Sequence, residues 1–62
     1  MKIAKFTVEM SDAEAWEFAQ FLKRVGFSDF RSKARTDAEA YDMQSAGNRV
    51  ADALRDAGYA PR

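Results

Sequence analysis

The first ten residues alternate between polar and apolar side chains. Ala4, Phe6, Val8 and Met10 fall on one side of an extended chain, and the odd-numbered residues fall on the other. Alternation with a period of two residues is typical of a strand that buries one of its faces. The pattern therefore predicts a β-strand over residues 2–10.

Helical spacing replaces this alternation after the strand. Ser11 and Glu14 stand three residues apart, the spacing of a capping box, in which a hydroxyl and a carboxylate each accept a backbone N–H group of the other residue. Gly26 stands where a left-handed residue would end the helix. These signals predict a first helix over residues 11–25, with an apolar stripe at Ala15, Phe18, Ala19, Leu22 and Val25.

The phrase SDAEAW at residues 11–16 returns as TDAEAY at residues 36–41. We interpret the repeat as shared helix-start chemistry and not as a duplicated binding site, because each repeated residue has a local role in capping the helix or complementing its dipole. Thr36 and Glu39 thus predict the start of a second helix, over residues 36–57.

The linker at residues 26–35 leaves two interpretations open. Ser28 could begin a single helical turn with Phe27 and Phe30 beneath it. The weaker alternative is a short second strand over residues 30–34. Ten residues is long for a connection between helices, which favours some local structure.

The order of predicted elements gives an α+β fold, β-α-α, in one small domain of residues 1–62. Gly47 lies on the apolar stripe of the second helix, which favours a close approach of the two helices there, and Gly58 is predicted to end that helix.

A lone strand leaves its backbone N–H and C=O groups unpaired. We therefore expect strand 2–10 to pair antiparallel with its copy in a homodimer. The alternative is a monomer whose strand packs loosely or pairs within the linker.

Composition limits the chemistry more than the fold. The chain has 62 residues with no cysteine and no histidine, so it lacks disulfides, thiolate ligands and the commonest general base. We expect no enzymatic activity, no metal site and no cofactor.

Ten basic residues balance ten acidic ones, which disfavours a broad nucleic-acid or membrane-surface binder. A cysteine-free chain without a long apolar run fits a cytoplasmic protein with no membrane partner.

Local charge and aromatic residues predict a protein partner. Between residues 23 and 35, five basic residues oppose only Asp29. They form a contact for phosphate or an acidic partner, or they complement the dipole of the first helix in a solvated loop. The aromatic residues are interface anchors, or they serve core or dimer packing, and Tyr41 could lie over the linker. The predicted partner-binding residues are Trp16, Phe21, Tyr41, Lys23, Arg24, Arg31, Lys33 and Arg35.

A strand followed by two helices in a strand-paired dimer resembles the ribbon-helix-helix repressors. The resemblance implies that the outer face of the strand reads bases in the major groove, here through Lys5 and Thr7, and that the second helix grips phosphate. This chain departs from the pattern in its long linker, and in Asp37 and Glu39, which put acids where phosphate would dock. A DNA-binding transcriptional regulator is therefore the alternative function, with nucleic acid as its partner.

The stretches AWEFAQFLKRVGFSDFR, at residues 15–31, and AGYAPR, at residues 57–62, resemble a family of small uncharacterised proteins of bacteria, their phages and mobile elements. The resemblance implies a protein that binds another macromolecule, as accessory or inhibitor proteins do when they block a host or defence enzyme. The expected function is a small non-enzymatic binding module, a homodimer that acts through protein–protein interaction.

Overall fold

A computed structural model describes residues 2–62, and these residues form three helices and no strand. Helix α1 spans Asp12–Arg24, α2 spans Phe27–Lys33 and α3 spans Asp37–Asp56. The described chain is therefore all-α, and the predicted α+β class is wrong. The two predicted helices are confirmed to within one residue at each end. Met1, which the predicted domain includes, lies outside the described residues.

Residues 2–10 have no regular secondary structure, so the predicted strand is wrong. All of them are exposed, including Ile3 at 82% and Phe6 at 79%. The alternation predicted a buried face, but within residues 2–62 this segment makes no backbone–backbone hydrogen bond, and its polar backbone groups are free to bind water. Because the strand is absent, the predicted strand-paired dimer and the ribbon-helix-helix arrangement are also wrong.

Helices α1 and α3 begin with related caps. Ser11 Oγ accepts the Glu14 backbone N–H at 3.1 Å, and the Ser11 N–H donates to the Glu14 carboxylate at 2.8 Å, so the predicted capping box is confirmed. That backbone hydrogen bond is the main cause of a lowered pKa of Glu14. Thr36 Oγ1 accepts the Glu39 N–H at 3.2 Å, but the Glu39 carboxylate accepts from the N–H of Arg35 instead of Thr36. The repeated phrase is thus helix-start chemistry with one altered contact.

The linker forms a helix and not a strand. Gly26 has an extended backbone, with φ −112°, and its N–H donates to Asp29 Oδ2 at 2.8 Å. Gly26 therefore begins α2, and its predicted left-handed role at the end of α1 is wrong. The predicted helical turn in the linker is confirmed, although it begins at Phe27 and not after Ser28.

The core consists of small side chains. Helix α3 packs against both α1 and α2, and the buried residues at these contacts include Ala15 and Ala19 of α1 and Ala40 of α3. Leu54 is the only larger side chain that is buried within residues 2–62. Alanine lets helices approach closely but removes little apolar area from water. The fold therefore gains little hydrophobic stabilisation from its interior.

The accessible surface reflects this thin core. The chain exposes 5419 Å² at a mass of 7.0 kDa, whereas a folded monomer of that mass exposes about 4,000 Å². The excess is about 1,400 Å², and large apolar side chains such as Ile3 and Phe6 remain exposed.

Gly47 of α3 lies close to side chains of both other helices. A Cβ atom at this position would lie 3.3 Å from Phe30 Cζ and 3.7 Å from Leu22 Cδ2. The predicted close approach is confirmed, and it involves α2 as well as α1. This crowding explains a glycine within α3, where it costs about 1 kcal/mol relative to alanine.

Tyr59 connects the end of the chain to α1. Gly58 is left-handed, with φ 104°, and the Tyr59 N–H donates to the Leu54 carbonyl at 2.8 Å, so the predicted helix stop is confirmed as a Schellman-type end. The Tyr59 ring meets Trp16 edge-on, with centroids 5.2 Å apart, and its hydroxyl donates to Asp12 Oδ1 at 2.7 Å. This hydrogen bond is the main cause of a raised pKa of Tyr59.

The Tyr59 hydroxyl should make stability depend on alkaline pH. Because its pKa is raised, the hydrogen bond to Asp12 contributes fully below the ordinary tyrosine pKa of about 10 and is lost as the pH rises through the raised value. We expect Tyr59→Phe to lower the urea midpoint of unfolding at neutral pH. The difference from the wild type should disappear in strongly alkaline buffer.

The matched control is Tyr41→Phe, since Tyr41 is 59% exposed and its ring contact with Phe27 is kept. That variant should unfold like the wild type at neutral pH. A Tyr59→Phe protein as stable as the wild type at neutral pH would show that the hydrogen bond contributes nothing.

Candidate functional site

Two aromatic side chains of α1 stand together on the surface. The rings of Phe18 and Phe21 stack with centroids 5.9 Å apart and planes within 7° of parallel. They are three residues apart and so share a helix face, and they remain 41% and 56% exposed. We call this pair the Phe18–Phe21 ridge. A contiguous exposed aromatic surface of this kind marks an interaction site more often than a single exposed apolar residue does.

A groove lies between α1 and α2, and Phe21 of the ridge is part of its lining. Its volume is about 640 Å³, and we call it the α1–α2 groove. Phe21, Phe30 and Met43 contribute apolar surface to it. Its charged lining is mixed, with two basic and two acidic side chains: Arg24, Lys33, Glu17 and Asp29.

A second groove, of about 690 Å³, lies beside the ridge and shares Glu17 and Phe21 with the first. Residues 2–10, which we call the N-terminal arm, contribute Val8 and Met10 to its lining, and the ridge contributes both of its rings. Among the described residues that line it, three are acidic and none is basic. We call it the acidic groove after these carboxylates, Glu9, Glu14 and Glu17.

The three predicted aromatic contact residues lie in three separate places. Trp16 packs against Tyr59 at the end of the chain. The Tyr41 ring lies 4.7 Å from that of Phe27, so it covers the linker, as one of the two predicted alternatives had it. Only Phe21 belongs to an aromatic surface flanked by grooves. Trp16 and Phe21 therefore pack against different aromatic partners.

The five predicted basic residues do not form one cluster either. Arg31 Nε donates to Asp37 Oδ1 at 2.6 Å, and this ion pair connects α2 to the start of α3. Lys23 Nζ donates to the carbonyl of Pro61 at 3.2 Å. The backbone N–H of Arg35 takes part in the α3 cap. These three residues therefore have local roles in holding the helices and the chain end together.

Arg24 and Lys33 differ from the other predicted basic residues because both belong to the lining of one groove. Arg24 lies in the last turn of α1 and Lys33 in the last turn of α2, where a positive charge complements the helix dipole. Both line the α1–α2 groove. Of the predicted basic residues, these two are the ones that a partner in the groove would meet.

Several residues that line the acidic groove were predicted to be buried elsewhere. Phe18 was assigned to the buried stripe of α1, and Val8 and Met10 to the buried face of a strand, yet all three line the acidic groove. The three-residue spacing of Phe18 and Phe21 was the available signal. Lys5 and Thr7 lie in the irregular N-terminal arm, so the strand face that would read DNA bases does not exist.

Within residues 2–62, no group of three acidic side chains comes together in a way that could hold a metal ion. No helix in that part of the chain combines the length and the apolar character needed to cross a membrane.

The family model of DUF7706, a family of unknown function, matches residues 1–62. The chain belongs to this family. The match covers both stretches on which the resemblance to small uncharacterised proteins rested. Among curated proteins and among solved structures, nothing matched the chain.

Alanine substitutions should separate the structural basic residues from those that are free to contact a partner. Arg31→Ala removes the ion pair with Asp37 and a hydrogen bond to the Ala34 carbonyl, so we expect a loss of about 0.5–1 kcal/mol in the free energy of unfolding. Arg24→Ala and Lys33→Ala should change it by less than about 0.5 kcal/mol. Urea unfolding at one fixed protein concentration provides the measurement. Equal losses for all three variants would contradict the assignment.

Proposed function

We propose that this DUF7706 protein is a non-enzymatic module that binds another protein through the Phe18–Phe21 ridge and the grooves beside it. The observation that carries the proposal is the stacked, exposed aromatic pair, which the core of its own chain leaves uncovered. Aromatic side chains concentrate binding energy at interfaces because they bury a large area with few rotatable bonds. Two grooves beside such a pair give an incoming side chain a place to insert.

The lining of the grooves supports a partner with both apolar and charged side chains. The α1–α2 groove places Arg24 and Lys33 near apolar surface from Phe30 and Met43. An extended or helical segment that lays apolar residues along such a groove and pairs its charges at the rim is a common mode of peptide recognition. The rim charges would favour the correct orientation more than they would add affinity.

The biological setting is part of the same proposal. The protein would act in bacteria, phages or mobile elements, in the cytoplasm, as an accessory or inhibitor that works by occupying a surface of its partner. A small chain without cysteine or histidine suits such a role, because binding requires a shaped surface and no catalytic group.

Site-specific photo-cross-linking tests the proposal directly. We would replace Phe21 with a benzophenone-bearing amino acid, which is also aromatic, and irradiate the full chain in cells that naturally produce it. The matched control carries the same amino acid at Arg49, an exposed residue of α3 outside the lining of both grooves. We expect a covalent adduct from position 21 that is much more abundant than any from position 49.

The nature of the adduct decides the outcome. A protease-sensitive adduct of defined mass supports the proposal, and twice the mass of the chain would identify a second copy as the partner. An adduct that is nuclease-sensitive would contradict a protein-binding role. Equal yields from the two positions would show that the ridge has no specific partner.

A further inference from the structure

The N-terminal arm is apolar and basic over its first half. Ile3 and Phe6 are exposed, at 82% and 79%, and Lys2 and Lys5 alternate with them along the chain. Residues 2–6 contain no acidic side chain. Because this segment belongs to no helix, its large apolar side chains gain nothing from burial in the chain as it stands.

The acidic groove has the complementary character. Its apolar lining comes from the ridge and from Val8 and Met10, and its charge comes only from carboxylates among the described residues. Glu17 projects from the middle of α1 with an exposed side chain. An occupant with apolar side chains and lysines would therefore match the groove in both polarity and charge.

The arm of the same chain does not fill this groove. Val8 and Met10 contribute to its lining, but Phe6, which precedes Val8 by two residues, is exposed to solvent. Residues 2–6 thus extend away from the groove into solvent and make no part of its lining. Two copies related by a two-fold axis near the rim of the groove would place each arm at the groove of the other.

The exposed surface is large enough for such an exchange. The excess over a folded monomer of this mass is about 1,400 Å², and a stable interface of standard size buries about 800 Å² on each partner. The five residues 2–6 span up to about 17 Å when extended, which compares with 15 Å for the shortest dimension of the chain.

We infer that the acidic groove binds residues 2–6 of a second copy of this chain, so that two copies exchange arms about a two-fold axis. Ile3 and Phe6 of one copy pack beside the ridge of the other, and Lys5 lies near Glu17. This dimer uses side-chain docking and no strand pairing. The inference rests on the proposed function, because it names the protein that the ridge binds.

Two complementary charge reversals test the exchange. Lys5→Glu places a carboxylate beside Glu17, and Glu17→Lys places an ammonium group beside Lys5, so each single variant replaces the proposed attractive pair with a repulsive one. In sedimentation equilibrium over a range of concentrations, we expect each variant alone to self-associate about tenfold more weakly than the wild type, or weaker still.

An equimolar mixture of the two variants should regain association. In the mixed dimer, the arm whose charge is reversed meets the groove whose charge is reversed, and the unchanged arm meets the unchanged groove. Both pairs of charges are therefore attractive. The double variant Lys5→Glu/Glu17→Lys should recover for the same reason. Arg49→Glu is the control, since it reverses an exposed charge outside the acidic groove and should associate like the wild type. Circular dichroism would verify that all variants keep their helices.

Three results would overturn the inference. They are a wild type that stays monomeric at every concentration, single variants that associate as well as the wild type, and a mixture that fails to recover. If the wild type is monomeric but Phe21 cross-links to a different protein, the proposed function stands and only the arm exchange is wrong. If position 21 gives no adduct above the Arg49 control, both are wrong.

Discussion

The alanine contacts between helices determine how this molecule is held together. Ala15, Ala19 and Ala40 let α1 and α2 lie close to α3, and the Phe30 ring packs against Gly47, where a Cβ atom would crowd it. Close approach of this kind leaves little room for large apolar side chains between the helices, so most of them lie at the surface. A chain of 62 residues is already marginal in the area it can bury. The same packing that defines the fold therefore also creates the exposed face that we assign to binding.

Helix ends were predictable because their chemistry is local. Ser11 with Glu14, Thr36 with Glu39, and Gly58 before Tyr59 each complete their hydrogen bonds within a few residues, and the structure places all of them at helix ends. The N-terminal strand was not predictable in this way. Alternation of polar and apolar residues says which side chains would share a face, but it does not say whether any element covers that face. Within the described chain no backbone pairs with the arm, so its alternating residues form no strand.

The candidate binding face was predicted in part, for a related reason. Phe21, Arg24 and Lys33 were identified from residue type alone, and the structure brings them to one groove. Trp16, Tyr41, Lys23 and Arg31 had the same appearance in the sequence but have partners within the chain, at distances that only the tertiary structure fixes. Phe18 was hidden by its place on the helical stripe, because the sequence does not show that the stripe is wider than the surface α3 can cover. Residue type indicates what a side chain can contact, and packing decides whether that contact is already made.

The central inference is that a second copy of this chain covers the ridge and the arm and thereby stabilises the fold. Urea unfolding at several protein concentrations, followed by circular dichroism, tests it most directly, because the midpoint of a dimer that unfolds to monomers rises with concentration. The account predicts a midpoint that increases steadily as the protein is made more concentrated. A single midpoint at every concentration would mean that the three helices are stable alone, and it would contradict the account.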